Sequence, residues 1–172
     1  MLSLRNSNPL TTMAFRSAPK TNLSTDSPES LFADIKSKQI PGLLTQQGDV
    51  LREYVSKFVN SRDLAAQLPT GSGKTLVALL IGEWRRLTRQ ERVVYLCPTN
   101  QLVHQVTDQA QSRYGLDVVP FTGSRANYTV FDKTRYTREH SAICTTSRSG
   151  NLTTLGSGLR QCFQRLESFA KL

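Results

Sequence analysis

Three cysteines among 172 residues, Cys97, Cys144 and Cys162, stand far apart, with no CxxC pair and no histidine cluster beside them. That spacing argues against a zinc site and against a disulfide framework, and favours reduced, buried thiols. Long apolar runs are missing too. Residues 76–81 form a short one, followed at once by Glu83, Arg85 and Arg86, so nothing here spans a bilayer and a soluble, cytoplasmic protein is expected. Acids are scarce: 13 Asp and Glu against 22 Lys and Arg leave a formal charge of +9 and a pI near 9.9. Such a balance suits an anionic partner, nucleic acid ahead of a membrane surface, and equally suits a merely basic soluble surface. Beyond Asp132 the only acids are Glu139 and Glu167, and no Asp-Glu dipeptide occurs anywhere. The length has room for one α/β domain with a real core and little for a second.

Against these absences stands one dense motif. Residues 68–75 read LPTGSGKT, between an apolar run and a helical pattern. The strict phosphate-loop pattern asks for glycine where Leu68 stands; the remainder, PTGSGKT, keeps the chemistry. Gly71 and Gly73 let the backbone turn tightly enough to aim several N–H groups at a polyphosphate. Lys74 can reach the β and γ phosphates, Thr75 can offer its hydroxyl to Mg²⁺, and the following helix adds its positive end. Pro69, Thr70, Gly71, Ser72, Gly73, Lys74 and Thr75 are therefore the candidate nucleotide-binding residues, with Thr75 the metal ligand.

The rest of the chain reads as alternating helix and strand. Ser27, Pro28 and Glu29 open a helix carrying Leu31, Phe32 and Ile35, and Pro41 and Gly42 break it. Residues 45–59 repeat apolar positions at helical spacing. Residues 63–68 (DLAAQL) are short and apolar enough for a buried first strand leading into the glycine loop. A helix over 73–88 follows. Residues 92–97 (RVVYLC) form the clearest strand, β-branched and continuous in apolar character, as in a parallel strand covered on both sides. A helix over 100–113 ends at Gly115, a strand over 117–121 ends near Pro120, and a strand over 141–145 completes the series. Strands alternating with helices imply a parallel sheet with helices on both faces and ligands at the strand C-terminal ends. Residues 1–26 read as a disordered leader. Their Arg5, Arg16 and Lys20, with Asp26 their only acid, give them a superficial likeness to a transit peptide. Residues 147–172, rich in Ser, Gly and Leu, form an atypical tail.

At the end of the second strand, one helix and one strand beyond Lys74, Pro98 opens PTNQLVHQ. PTGSGKT and PTNQLVHQ at this spacing resemble superfamily 2 helicases of the DEAD/DEAH-box type. The resemblance implies a P-loop α/β fold, an incomplete RecA-like lobe over residues 27–146, that binds ATP with Mg²⁺. It also implies a nucleic-acid partner, DNA or RNA, gripped by its sugar-phosphate backbone through Pro98, Thr99, Asn100 and Gln101. Hydroxyl, amide and backbone N–H donors at a helix start suit phosphate without reading bases, and an ordinary N-cap at Thr99 or Asn100 has the same residues. Phe121, Thr122 and Gly123 resemble the next backbone-contacting element, and Thr145 and Thr146 the threonine-bearing strand end beyond it. Gln46 and Gln47 stand where the family often has an adenine-recognising glutamine, and a solvent-facing helical glutamine is the alternative. Arg125, Lys133, Arg135 and Arg138, interleaved with Tyr128, Phe131 and Tyr136, read either as a nucleic-acid contact or as a solvated loop. His104 and His140 are isolated.

The family's strand ending in Asp-Glu is missing, as are its Ser-Ala-Thr motif and its second lobe. The resemblance so qualified implies nucleotide binding without hydrolysis or unwinding by this chain alone. Two readings follow: an N-terminal, truncated or frameshifted part of such a helicase, or a free-standing nucleotide-binding module whose partner subunit supplies the missing carboxylate.

Overall fold

Ser27 caps the first helix with its side chain. Its hydroxyl accepts from the Ser30 N–H at 3.1 Å, and the Ser30 hydroxyl accepts from the Ser27 N–H at 3.0 Å. This reciprocal pair satisfies two of the donors a helix start leaves open, and Pro28 in the first turn needs no N–H partner. The computed structural model that contains this helix describes residues 23–122, 129–130 and 143–147. Residues 1–22 and 148–172, which hold nearly all of the expected leader and tail, lie outside the described residues, as does the expected basic and aromatic cluster from Arg125 to Arg138 apart from Thr129 and Val130.

In chain order the elements are α1 (Pro28–Asp34), α2 (Thr45–Glu53), α3 (Lys74–Arg89), β1 (Val94–Cys97), α4 (Asn100–Gln109), β2 (Val118–Phe121) and β3 (Ile143–Ser147). Both α2 and α4 widen at their C-terminal ends into five-residue π-helical segments, Tyr54–Phe58 and Ala110–Tyr114. Gly115, at φ 68°, ends the second of these in the left-handed conformation that glycine adopts without steric cost. No described helix is long and apolar enough to cross a membrane.

The three strands form one parallel sheet in the order β1-β3-β2. The strand latest in sequence therefore sits in the middle, which fits crossover connections rather than hairpins. Thr146 of β3 is level with Leu96 on one side and Phe121 on the other, so β1, which continues to Cys97 opposite Ser147, ends one residue beyond β2. Helix α4 packs against all three strands. Pro120 lies within β2, one residue before its end, as expected; β2 borders the described sheet, where a missing ladder N–H is tolerated.

Two expectations about strands fail. Residues 63–68 form no strand, and Leu64, Ala65, Ala66 and Gln67 are exposed. The cause is pairing: β3 already has a neighbour on each side, no described strand lies beside residues 63–68, and Ala and Gln add little intrinsic preference for extended backbone. In β1 only Cys97 is buried, while Val94, Tyr95 and Leu96 are half-buried, so the cover on both faces expected from its apolar continuity is incomplete among the described residues.

The core gathers around α3, whose Leu76, Val77, Leu79 and Leu80 join Leu51, Leu68, Val103 and Val118 in one apolar cluster. Trp84, one turn further, packs edge-on against Tyr54 in a second cluster with Leu31, ring centroids 6.3 Å apart. Its indole N–H donates to the Thr25 carbonyl at 2.8 Å, tying the start of the described chain to α3. Between these apolar positions Glu83 is buried, and its carboxylate is gripped by both Nε and Nη2 of Arg86 at 2.7 Å. The bidentate grip offsets the cost of removing that charge from water. Arg85 in turn is forked onto Glu91 and donates to the Tyr54 hydroxyl at 2.8 Å; its hydrogen bonds to the Glu91 carboxylate hold its guanidinium above the ordinary range, with burial working against it.

Leu80 is fully enclosed, so Leu80→Ala is expected to lower the unfolding free energy by about 3 kcal/mol. Leu102→Ala, at a 36% exposed position, is expected to cost under about 1 kcal/mol, and urea titrations of the two variants check the contrast.

Candidate nucleotide and nucleic-acid site

The glycine loop owes its shape to two residues with positive φ. Gly71 sits at 80° and Gly73 at 74°, and between them Ser72 is buried. The Ser72 N–H and hydroxyl both turn back onto the Pro69 carbonyl, at 3.3 and 2.7 Å, closing the loop. From Gly73 the chain enters α3 directly, with Leu76 and Val77 donating to the Gly73 carbonyl. The N–H groups of Gly71, Gly73, Lys74 and Thr75 find no acceptor among the described residues. Lys74 is exposed.

N–H groups at a helix start that are unsatisfied among the described residues, two left-handed glycines and an exposed ammonium are chemically suited to a polyphosphate. A Cβ on Gly71 would meet nothing within 4 Å, so open space faces the loop there. Thr75, half-buried in the first turn of α3, brings a hard oxygen donor of the kind Mg²⁺ prefers. The residues thus fit a magnesium-bound nucleotide triphosphate on their donor chemistry.

Behind the loop stands Gln47, which is only 4% exposed. Its Oε1 accepts from the Leu44 N–H at 3.0 Å, completing the N-terminal turn of α2, and its Nε2 donates to the Ser72 carbonyl at 2.7 Å. One amide therefore joins α2 to the crest of the glycine loop. The fit is close: a Cβ on Gly73 would come within 2.4 Å of the Gln47 Nε2. Of the two glutamines weighed from sequence, Gln46 is exposed and Gln47 is not. The link from Gln47 to Ser72 was not legible in the motif, although a glutamine three residues into a helix is a known capping position.

Sequence reading passed over Tyr95, which lies in β1 and packs against the cluster containing Leu76 and Cys97. Burial raises its ionisation above the ordinary tyrosine value.

The expected nucleic-acid residues gather at one edge of the sheet. Pro98, Thr99, Asn100 and Gln101 are all exposed at the turn from β1 into α4. Thr99 is the N-cap of α4, its hydroxyl accepting from the Leu102 N–H at 3.3 Å, so the capping role weighed from sequence is realised. Thr122 directly follows β2, which ends one residue short of β1, and with one strand between them the two turns are roughly 10 Å apart. Gly123 lies outside the described residues. Thr145 and Thr146 belong to β3, at the register positions facing Tyr95 and Leu96. His104 is exposed on α4, and no group of three metal-ligating side chains occurs among the described residues.

Residues 47–169 match the family model of the DEAD/DEAH box helicases. The match continues beyond Thr146, the last residue carrying the motif resemblance. A curated relative, the DEAD-box ATP-dependent RNA helicase CshC of Bacillus cereus, is 32% identical over 65 residues, which cover 37% of this chain and 17% of that protein. No solved structure matches the chain.

Loss of the Gln47 amide leaves the Ser72 carbonyl and the Leu44 N–H unpaired, so Gln47→Ala is expected to cost about 2 kcal/mol and to speed amide exchange around Ser72 and Gly73. Gln47→Glu extends the test with pH. Only a protonated carboxyl can donate to the Ser72 carbonyl, so burial raises its folded pKa above the unfolded value. The variant is then more stable in acid and loses stability as pH rises through the folded pKa, a slope measurable by thermal unfolding from pH 4 to 8.

Proposed function

This chain belongs to the DEAD/DEAH box helicase family, and from that premise we propose that it binds ATP with Mg²⁺ through the loop from Pro69 to Thr75. Members of this family use ATP with Mg²⁺. The observation carrying the reading is the loop itself: left-handed Gly71 and Gly73, unpaired N–H groups leading into a sixteen-residue helix, and an exposed Lys74. Lys74 neutralises the outer phosphates, the backbone N–H groups and the helix end hold the inner ones, and Thr75 offers its hydroxyl to the metal. Bound Mg²⁺ would supply charge neutralisation at the β and γ phosphates.

The second half of the reading is a nucleic-acid track along the strand ends, made by Pro98, Thr99, Asn100 and Gln101 with Thr122 and Gly123. The relative's description as an RNA helicase favours RNA over DNA. Exposed donors at the start of α4 are suited to phosphate oxygens, which fixes register on a strand without reading its sequence. A cytoplasmic setting goes with this reading. The matched stretch spans only 17% of that relative, so its complete activity is not carried over here.

Hydrolysis needs more than the loop. A carboxylate must hold the metal and orient water, and the 172 residues contain no Asp-Glu dipeptide in which the family places it. We therefore assign this chain nucleotide binding, with a second lobe or a partner subunit supplying what turnover and unwinding require.

Titration of the purified chain with a fluorescent ATP analogue and Mg²⁺ tests the assignment. Saturable binding is expected, weakened more than tenfold by Lys74→Ala, with negligible phosphate release. Robust release of phosphate would contradict the division between binding and turnover, and binding indifferent to Lys74 would contradict the site.

A further inference from the structure

The connector between α1 and α2 forms a recess of about 490 Å³ that holds no residue of the glycine loop or of the strand ends. Its apolar wall is aliphatic, made by Ala33, Ile35, Ile40 and Pro41, and Lys36, Lys38 and Gln39 complete it. The connector is fastened at the end of α4 opposite Thr99: the Gln39 N–H donates to the Arg113 carbonyl at 2.8 Å, and a Cβ on Gly115 would come within 2.7 Å of Ile35 Cγ2. Two lysines and no carboxylate line the recess. Asp34, next to it in sequence, lies outside the lining and accepts the Ser24 N–H at 2.8 Å. Lys38 is held: its Nζ donates to the Ala33 carbonyl at 2.7 Å and the Ile35 carbonyl at 2.8 Å, and stands 5.3 Å from the centroid of the Phe32 ring. Those carbonyls close α1 and carry no full negative charge, and an ammonium has a third N–H to give. Lys36 is exposed, with no partner among the described residues.

We propose that this recess docks an acidic, aliphatic peptide segment of a partner protein, a carboxylate meeting Lys36 and Lys38 while a leucine-sized neighbour covers Ile40 and Pro41. The charge complementarity is local: two cations without a carboxylate beside them, one already immobilised and so losing little further freedom on meeting an anion. The aliphatic wall supplies the rest, since an apolar side chain laid on it removes both surfaces from water. Nucleic acid suits the recess less. No aromatic ring lines it for a base to stack upon, the Phe32 ring being buried, and two ammonium groups make no track for a phosphate backbone. The site stands apart from the nucleotide reading and does not depend on it.

The test follows the amide signals of the isotope-labelled full chain during titration with an end-blocked peptide that alternates glutamate and leucine. Saturable shifts centred on residues 33–41 are expected, with binding about fivefold weaker when glutamine replaces each glutamate. Lys36→Glu alters a side chain without a partner among the described residues, so the ligand-free melting midpoint is expected to stay unchanged while peptide binding weakens about tenfold. Lys36→Arg, which keeps the charge, is expected to bind within about twofold of the parent chain. Equal binding of the glutamine peptide, shifts centred elsewhere on the basic surface, indifference to Lys36→Glu, or no saturable shift would each overturn the proposal. An oligouridylate that shifts residues 33–41 where the peptide does not would overturn it in favour of nucleic acid.

Discussion

Helix α3 has to be enclosed on nearly every side, and the rest of the described fold is arranged to do it. Leu76, Val77, Leu79 and Leu80 face one apolar cluster and Trp84 another, so sheet, α1, α2 and the Tyr54 segment all pack around this one helix. A helix with so broad an apolar surface cannot remain in water. The two polar groups forced inward with it are each neutralised locally, Glu83 by Arg86 one turn away and the Trp84 indole N–H by the Thr25 carbonyl. Enclosure makes α3 rigid, and rigidity at its C-terminal turns means a defined position for its N-terminus, where the loop sits.

The loop is therefore positioned from both directions. From within the chain it is closed by Ser72 on Pro69 and delivered into α3 by Gly73; from outside it is braced by Gln47. Backbone N–H groups are costly to hold unpaired unless the loop carrying them is pre-formed. The Gln47 amide, held on α2, supplies that pre-organisation.

Legibility in the sequence followed the range of the interaction. Ser27 as a cap, the course of α3 and the stop at Gly115 all depend on neighbours within a few residues, and each was readable, whereas α1, expected to run until Pro41 and Gly42, ends at Asp34. The strand expected over residues 63–68 was not, because a strand exists only with a partner and its composition alone says nothing about one. The same limit applied to β1, whose apolar run suggested cover on both faces although three of its four residues are only half-buried among the described residues. Gln47 was visible as a candidate without its role, since the Ser72 carbonyl it holds is 25 residues away.

By itself the sequence determined the local chemistry: a glycine loop that turns tightly, a lysine and a threonine in the first helical turn, a proline-threonine turn after a strand, and the family to which these point. Their order along the chain is enough, because each depends on adjacent residues and on backbone freedom at Gly71 and Gly73. Only the tertiary structure decided which strand lies in the middle, that β1 and β2 end within one residue of each other, and that Gln47 is buried against Ser72. Those are contacts between segments far apart in sequence, set by how the apolar faces of α2, α3 and the sheet share one core, and no local pattern encodes them.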